Sequence, residues 1–329
     1  MVKRIFRVLF PGIGILLLIL DSPTALSGAQ NGIDLCMGSI IPSIFPFLVL
    51  SGMLVPTLCG MKMGNLGKLL GIPTGCDGLF IIGLLGGYPT GAREVAKAWK
   101  SGNLTTEEAR RMLPICNNAG PAFLFGILGS VFPAKWMLWV LWAIHILSAI
   151  CVAPLLPKSP SAARRSFTIK SPTLTESLKQ AVVTMGYICG WVILFRLILA
   201  FADRWFLWAV PDVVRVGIYG VLELANGCCN LSDIPSVADR FILCSGMLAF
   251  GGICVTMQTA SVASGLDLGL YLPGKLLQTC ISVIFSLIFC IFQFPGMEKS
   301  HLFTLFLVFF AGFLLFWKNR TSIPARVCV

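Results

Sequence analysis

The sequence predicts an all-α integral membrane fold, with about eight transmembrane helices and two re-entrant helical hairpins laid out as two inverted repeats. Three observations carry that prediction. Of the 329 residues 57% are hydrophobic and 12% charged, and mean hydropathy is +0.88, whereas a soluble domain carries about 25% charged residues. Apolar runs long enough to cross hydrocarbon, which takes about 20 helical residues, recur along the whole chain. Backbone breakers and side-chain amides interrupt such runs at Gly86-Gly-Tyr-Pro-Thr-Gly-Ala92 and at Cys116-Asn-Asn-Ala-Gly-Pro121. In hydrocarbon every backbone N–H and C=O must be satisfied internally, so irregular backbone is tolerated only where protein or a water-filled cavity surrounds it. Two such interruptions at one depth point to a solute site.

The first apolar run, near 5–20, follows the basic Lys3, Arg4 and Arg7. It reads as an uncleaved first span in preference to a signal peptide, although small residues at Ser27-Gly-Ala29 would suit a cleavage site. A second run covers 38–56. Leu79 to Leu85 is too short to cross, since about eight residues rise only about 12 Å, and the following Thr90 to Lys100 is too charged to face lipid. This pair reads as a helical hairpin that enters and returns on one side. Runs at 112–132 and 136–156 complete the first half, and the polar stretch beginning Pro157-Lys-Ser-Pro divides it from the second. There a span at 180–202 precedes Val213 to Ala225, which breaks at Asn226-Gly227 and returns through Cys228 to Pro235 as a second hairpin. Runs at 241–263, 276–294 and 302–317 finish the chain. The predicted units are a helix and linker (1–35), a first repeat (36–156), a cytoplasmic linker (157–177), a second repeat (178–295) and a last helix with its tail (296–329).

The two halves share an order of parts: a span, a broken hairpin, an interrupted span and a plain span. Few residues match, so the likeness is one of punctuation. An odd number of crossings between the halves would set them upside down to each other. Short, Gly/Pro-interrupted segments at corresponding places of inverted repeats mark the midplane site of secondary transporters. The net charge of +11 fits this layout better than it fits nucleic acid, because the basic residues lie in short segments between apolar runs. With the N-terminus in the cytoplasm, 19 of the 25 lysines and arginines fall in cytoplasmic segments, Lys275 among them, and both termini are cytoplasmic. Arg110 and Arg111 read as cytoplasmic anchors. No basic run is interleaved with aromatics as a nucleic-acid surface would be.

Thirteen cysteines and two histidines lack the spacing of a zinc site, and cysteines such as Cys244 and Cys280 read as small buried hydrophobes. No cofactor is expected. The sequence has no phosphate-cradling Walker motif, no His-Glu-x-x-His and no paired intramembrane aspartates, so neither ATP-driven pumping nor catalysis is expected.

Gly87-Tyr-Pro-Thr-Gly-Ala92, Ser101-Gly-Asn-Leu-Thr-Thr-Glu-Glu-Ala109 and Cys116-Asn-Asn-Ala-Gly-Pro121 resemble the YlbJ-like family of sporulation integral membrane proteins, which carries the nucleoside-recognition, or Gate, domain. Pro42-Ser-Ile-Phe-Pro-Phe47 with Ser51 fits the same pattern, and Glu223-Leu-Ala-Asn-Gly227, Phe250-Gly-Gly252 and Gln258 fit it more loosely. The resemblance covers about residues 35–290. It implies a fold similar to that of concentrative nucleoside transporters, with two hairpins and two broken helices around a central site. It also implies movement of dipicolinate, an aromatic dicarboxylate, across the mother-cell or forespore membrane of a sporulating bacterium.

The candidate substrate-binding residues are Gly87, Tyr88, Pro89, Thr90, Asn117, Asn118, Gly120, Asn226, Gly252, Gln258 and Thr259. The glycines also suit plain tight turns. A turn at that depth nevertheless exposes helix-end N–H groups that favour a carboxylate. Asn117 and Asn118 can donate and accept at once, or else bond between helices. Glu223, a carboxylate well inside an apolar stretch, is the candidate coupling residue for a proton or a sodium ion; pairing with Arg196 or Arg215 is the structural alternative. Three functions follow in order: a secondary transporter of a small organic anion, a nucleoside transporter of the same fold, and a membrane scaffold or gate subunit for sporulation. The expected partners are the solute and the lipid bilayer, and a homo-oligomer stays open.

Overall fold

The computed structural model describes residues 2–59, 61, 63–157 and 172–294, and all regular structure among them is helical. α1 (Val2–Leu20) meets α2 (Ser22–Leu35) at Asp21, whose carboxylate caps α2 by accepting from the Thr24 N–H at 3.4 Å. A π-helical turn, Cys36–Ile40, carries α2 into α3 (Ile41–Cys59). α4 (Asn65–Leu70) leads to the first hairpin, α5 (Asp77–Gly86) and α6 (Thr90–Lys100). α7 (Thr106–Cys116) starts at a capping box, in which Thr105 accepts from Glu108 N–H and Glu108 returns the bond. After a break it resumes as α8 (Pro121–Ile127), and α9 (Trp136–Val152) closes the first half.

The second half repeats this order. α10 (Leu174–Trp205) opens on an equivalent box at Thr173 and Glu176. The second hairpin is α11 (Asp212–Leu222) and α12 (Leu224–Cys229). The second broken span is α13 (Val237–Phe250) and α14 (Gly252–Val262), and α15 (Tyr271–Gln293) follows. Packing is matched within the halves and reciprocal between them. Within each, α3 lies against α8 as α10 lies against α14; between them, α9 packs on α13 as α15 packs on α7.

Six helical stretches among the described residues are long and apolar enough to cross a membrane, and they match six of the predicted runs. The chain is a multi-pass membrane protein. The run at 302–317 lies outside the described residues. Within the first run, Pro11–Leu20 is a shorter apolar helix whose large side chains are mostly exposed. The two broken spans are the most enclosed: 67% of the apolar window in Thr106–Ser130 and 72% in Val237–Val262 are buried, against 28–44% elsewhere. Spans that carry irregular backbone thus sit innermost, as satisfaction of that backbone requires.

Two local expectations need correction. Residues 22–35, read as linker, are helix, and the span they join runs from Ser22 to Leu54. Gln30, Asn31 and Asp34 lower the hydropathy there, but Gly28-x-x-x-Gly32 lets α2 lie directly on α10. A Cβ on Gly28 would come 2.7 Å from the Ala200 Cβ, and one on Gly32 2.9 Å from the Ile193 Cα. Small residues four apart are how helix backbones approach in lipid. Gly32→Leu is expected to cost about 1–3 kcal/mol through overpacking, read as a lower unfolding midpoint in detergent. Gly12→Leu, with nothing within 4 Å, should leave that midpoint unchanged.

The second correction concerns the second hairpin, which turns at Glu223 and not at Asn226-Gly227. Glu223 is extended (φ −144°, ψ 118°) and caps α12, so Asn226 and Gly227 remain helical.

Candidate functional site

The first hairpin is clasped onto the first helix break by glycine. A Cβ at either Gly83 or Gly91 would stand 1.7 Å from the Cys116 carbonyl oxygen, so the two arms straddle that carbonyl. At the tip Gly87 lies against Gly120, and a Cβ on Gly120 would meet the Gly87 Cα at 2.8 Å. The Gly87 carbonyl accepts from the Thr90 N–H at 2.8 Å, and the Tyr88–Pro89 peptide is cis. Tyr88 reaches across to the second half, where its hydroxyl donates to the Leu248 carbonyl at 3.1 Å. Its ring lies beside Gly251, whose positive φ of 80° opens the second helix break.

Two polar clusters fill the space behind the tip. Asn117 Nδ2 donates to Thr259 Oγ1 and to the Tyr271 hydroxyl, both at 2.9 Å, and its Oδ1 accepts from the Ala92 N–H at 3.4 Å. Asn118 Nδ2 donates to the Ile115 carbonyl at 2.6 Å, which fixes the amide orientation. Asn118 Oδ1 then accepts from Lys275 Nζ at 3.2 Å and from Gln278 Nε2 at 3.0 Å, while Lys275 Nζ donates to Gln278 Oε1 at 2.8 Å. His145 Nε2 accepts the Ala119 N–H at 3.0 Å, meeting a donor that the break leaves without a helical partner. Asn117, Asn118, Thr259 and Lys275 are fully buried.

Glu223 sits across from Tyr88. Its carboxylate accepts from Ala225 N–H at 3.0 Å, Asn226 N–H at 2.6 Å and Asn226 Nδ2 at 2.7 Å. The first turn of α12 is therefore occupied by the chain's own anion. Neither predicted arginine partner reaches it, since Arg215 pairs with Asp212 at 2.5 Å and Arg196 with Asp203 at 3.6 Å.

A cavity of about 40 Å³ lies between the halves, lined by Gly87, Tyr88, Gly120, Glu223 and Gln258 together with Ile40 and Ile188. At roughly 10–15 Å³ per molecule it has room for about three waters. Of the other candidates, Asn117, Asn118 and Thr259 stand behind this wall, and Asn226 is bonded to Glu223. Pro89 caps α6, and Gly252 opens α14 against the Gly220 and Leu222 carbonyls. Thr90 is buried, and among the described residues its hydroxyl has no partner.

No protein-family model matches the chain, and no solved structure does. Among curated proteins, it is similar to the sporulation integral membrane protein YlbJ of Bacillus subtilis (strain 168). The two are 23% identical over 314 residues, which take in 79% of this chain and 76% of that protein. The likeness extends over most of both chains. The resemblance read from 87–92, 101–109 and 116–121 points to the same relative.

Lys275 corrects the charge reading. It does not lie in an exposed segment between spans but is fully buried, one turn inside α15. Arg111 is likewise buried and no surface anchor; it donates to the carbonyls of Leu70, Gly71, Ala153 and Pro157. Tyr271, Lys275, Gln278 and His145 were not among the sequence candidates. A signal did exist: Lys275, Gln278, Ser282 and Ser286 recur at helical spacing within an apolar run, and all four are buried.

Proposed function

We propose that this chain is a secondary transporter of a small organic solute, most directly an aromatic carboxylate such as dipicolinate moved during sporulation. In this reading the two halves are inverted repeats with both termini cytoplasmic, and they rock about the shared cavity to expose it to each side in turn. The observation that carries it is the meeting of two hairpin turns and two helix breaks in the interior, around amides and a carboxylate, within a bundle of apolar spans. Reciprocal packing of the halves supports the repeat relation, and the name of the Bacillus subtilis relative supports the setting. Glu223, a carboxylate on the cavity wall, is the coupling site for a proton or sodium ion. The transporter works without chemistry on its solute.

The small cavity favours one other reading, a sporulation scaffold or gate subunit that carries no solute. Purified protein in liposomes separates the two when offered dipicolinate, a second aromatic carboxylate and a nucleoside. Saturable dipicolinate uptake is expected. Asn117→Ala, which removes the bonds to Thr259 and Tyr271, should slow it about tenfold, the equivalent of a hydrogen bond worth about 1.4 kcal/mol. Folded protein that moves nothing on this panel rejects transport, and nucleoside uptake alone makes the chain a nucleoside transporter of the same fold.

A further inference from the structure

We propose that Lys275 is the specificity-determining residue of this site: its buried ammonium, held behind Tyr88, is the fixed charge that selects a carboxylate solute over a neutral one. The proposal deepens the transporter reading and rests on it. Lys275 is 0% exposed and lies inside a span of 23 residues. The three contacts of Nζ are all acceptors: Gln278 Oε1 at 2.8 Å, Asn118 Oδ1 at 3.2 Å and the face of the Tyr88 ring, its centroid at 5.0 Å. An ammonium has three N–H groups to place, and three acceptors receive them. A neutral amine would present a lone pair, and none of these groups donates to it. The amide orientations leave no freedom to reverse this, because Asn118 Nδ2 is held by the Ile115 carbonyl and Gln278 Nε2 by Asn118 Oδ1 and the His145 carbonyl.

What the ammonium lacks is an anion. Among the described residues no carboxylate pairs with it, and the ion pairs there engage other groups. Glu223, on the cavity wall, spends its oxygens on the backbone of α12. Burying a cation without a counter-ion is costly, and an apolar residue of the same length would pack the position more stably. Ionisable groups kept inside membrane spans face pathways and solutes.

Tyr88 connects this charge to the cavity. It touches both, lining the cavity and covering Lys275, and it is held across the halves by the bonds from its hydroxyl to Leu248 and Ala249. Withdrawal of the ring joins the cavity to the ammonium. An aromatic carboxylate then replaces both of its contacts, its ring standing where Tyr88 stood and its anion meeting Nζ.

The test is ligand-induced thermal stabilisation of the full chain in detergent, run beside liposome uptake. The probes are dipicolinate, its uncharged diamide and a nucleoside, each applied to wild type, Lys275→Met, Lys275→Gln and Lys275→Arg. Wild type should be stabilised by dipicolinate and not by the diamide. Both neutral variants should fold and bind dipicolinate about 10- to 100-fold more weakly, since a hydrogen bond to a charged group contributes about 1.5–3 kcal/mol. Lys275→Arg should keep part of the binding. Lys275→Gln keeps amide hydrogen bonding, so the loss must appear there even if the Met variant does not fold. Undiminished dipicolinate binding in a folded neutral variant overturns the proposal, as does a wild type that prefers the diamide or nucleoside or binds no probe. Uptake of the neutral solutes alone would leave transport standing and remove this role. Lys275-dependent binding without uptake of any probe would do the reverse.

Discussion

Gly91→Ala is expected to leave the chain unable to hold its native fold, and Gly83→Ala likewise. At either position a single methyl group would lie 1.7 Å from the Cys116 carbonyl oxygen. That oxygen belongs to the backbone at the first helix break, so no rotamer change relieves the clash. Ordinary overpacking costs about 1–3 kcal/mol. Here the obstruction is main chain on both sides, so the cost should exceed about 4 kcal/mol, a range reached by few substitutions. Size-exclusion profiles and unfolding midpoints of detergent-solubilised protein test this, with Gly129→Ala, which has nothing within 4 Å, as the control. A monodisperse Gly91→Ala protein with the wild-type midpoint would mean that the hairpin does not grip the break.

Glu223→Ala should destabilise the chain by about 2–4 kcal/mol, combining a lost helix cap with buried donors left unpaired. The donors are the N–H groups of Ala225 and Asn226 and the Asn226 side-chain amide. Glu223→Gln keeps an acceptor in place and should cost less than half as much. The pair of variants therefore separates architecture from coupling. If Glu223 carries a proton or cation, the Gln variant stays folded and exchanges solute but no longer accumulates it against a gradient. Should Gln support accumulation at the wild-type rate, Glu223 is only a cap.

Much of this arrangement is legible in the residues, for a reason tied to lipid. Gly87, Pro89, Asn117, Asn118 and Gly120 are out of place in hydrocarbon, so their presence announces both the first hairpin and the first break. The same logic finds Gly251 and Gly252. It misplaces the second turn by three residues, because Asn226-Gly227 looks like a breaker while Glu223 looks merely like a charge; only its extended backbone and the bonds it accepts reveal a cap. α2 escaped notice because hydropathy is the wrong measure for a helix that packs through Gly28 and Gly32. Lys275 escaped because counting positive charges assigns each to a loop by default, although its helical register with Gln278, Ser282 and Ser286 pointed inward. No local pattern could reveal that Tyr88 bonds to Leu248, 160 positions away.

The π turn at Cys36–Ile40 has a mechanical consequence. α2 is fastened to α10 through its glycines, and α3 continues against α10, α5 and α8. The wide-wound segment joins the two, and Ile40, its last residue, lines the cavity. If the halves rock as proposed above, a bend at this joint would be felt where the solute sits.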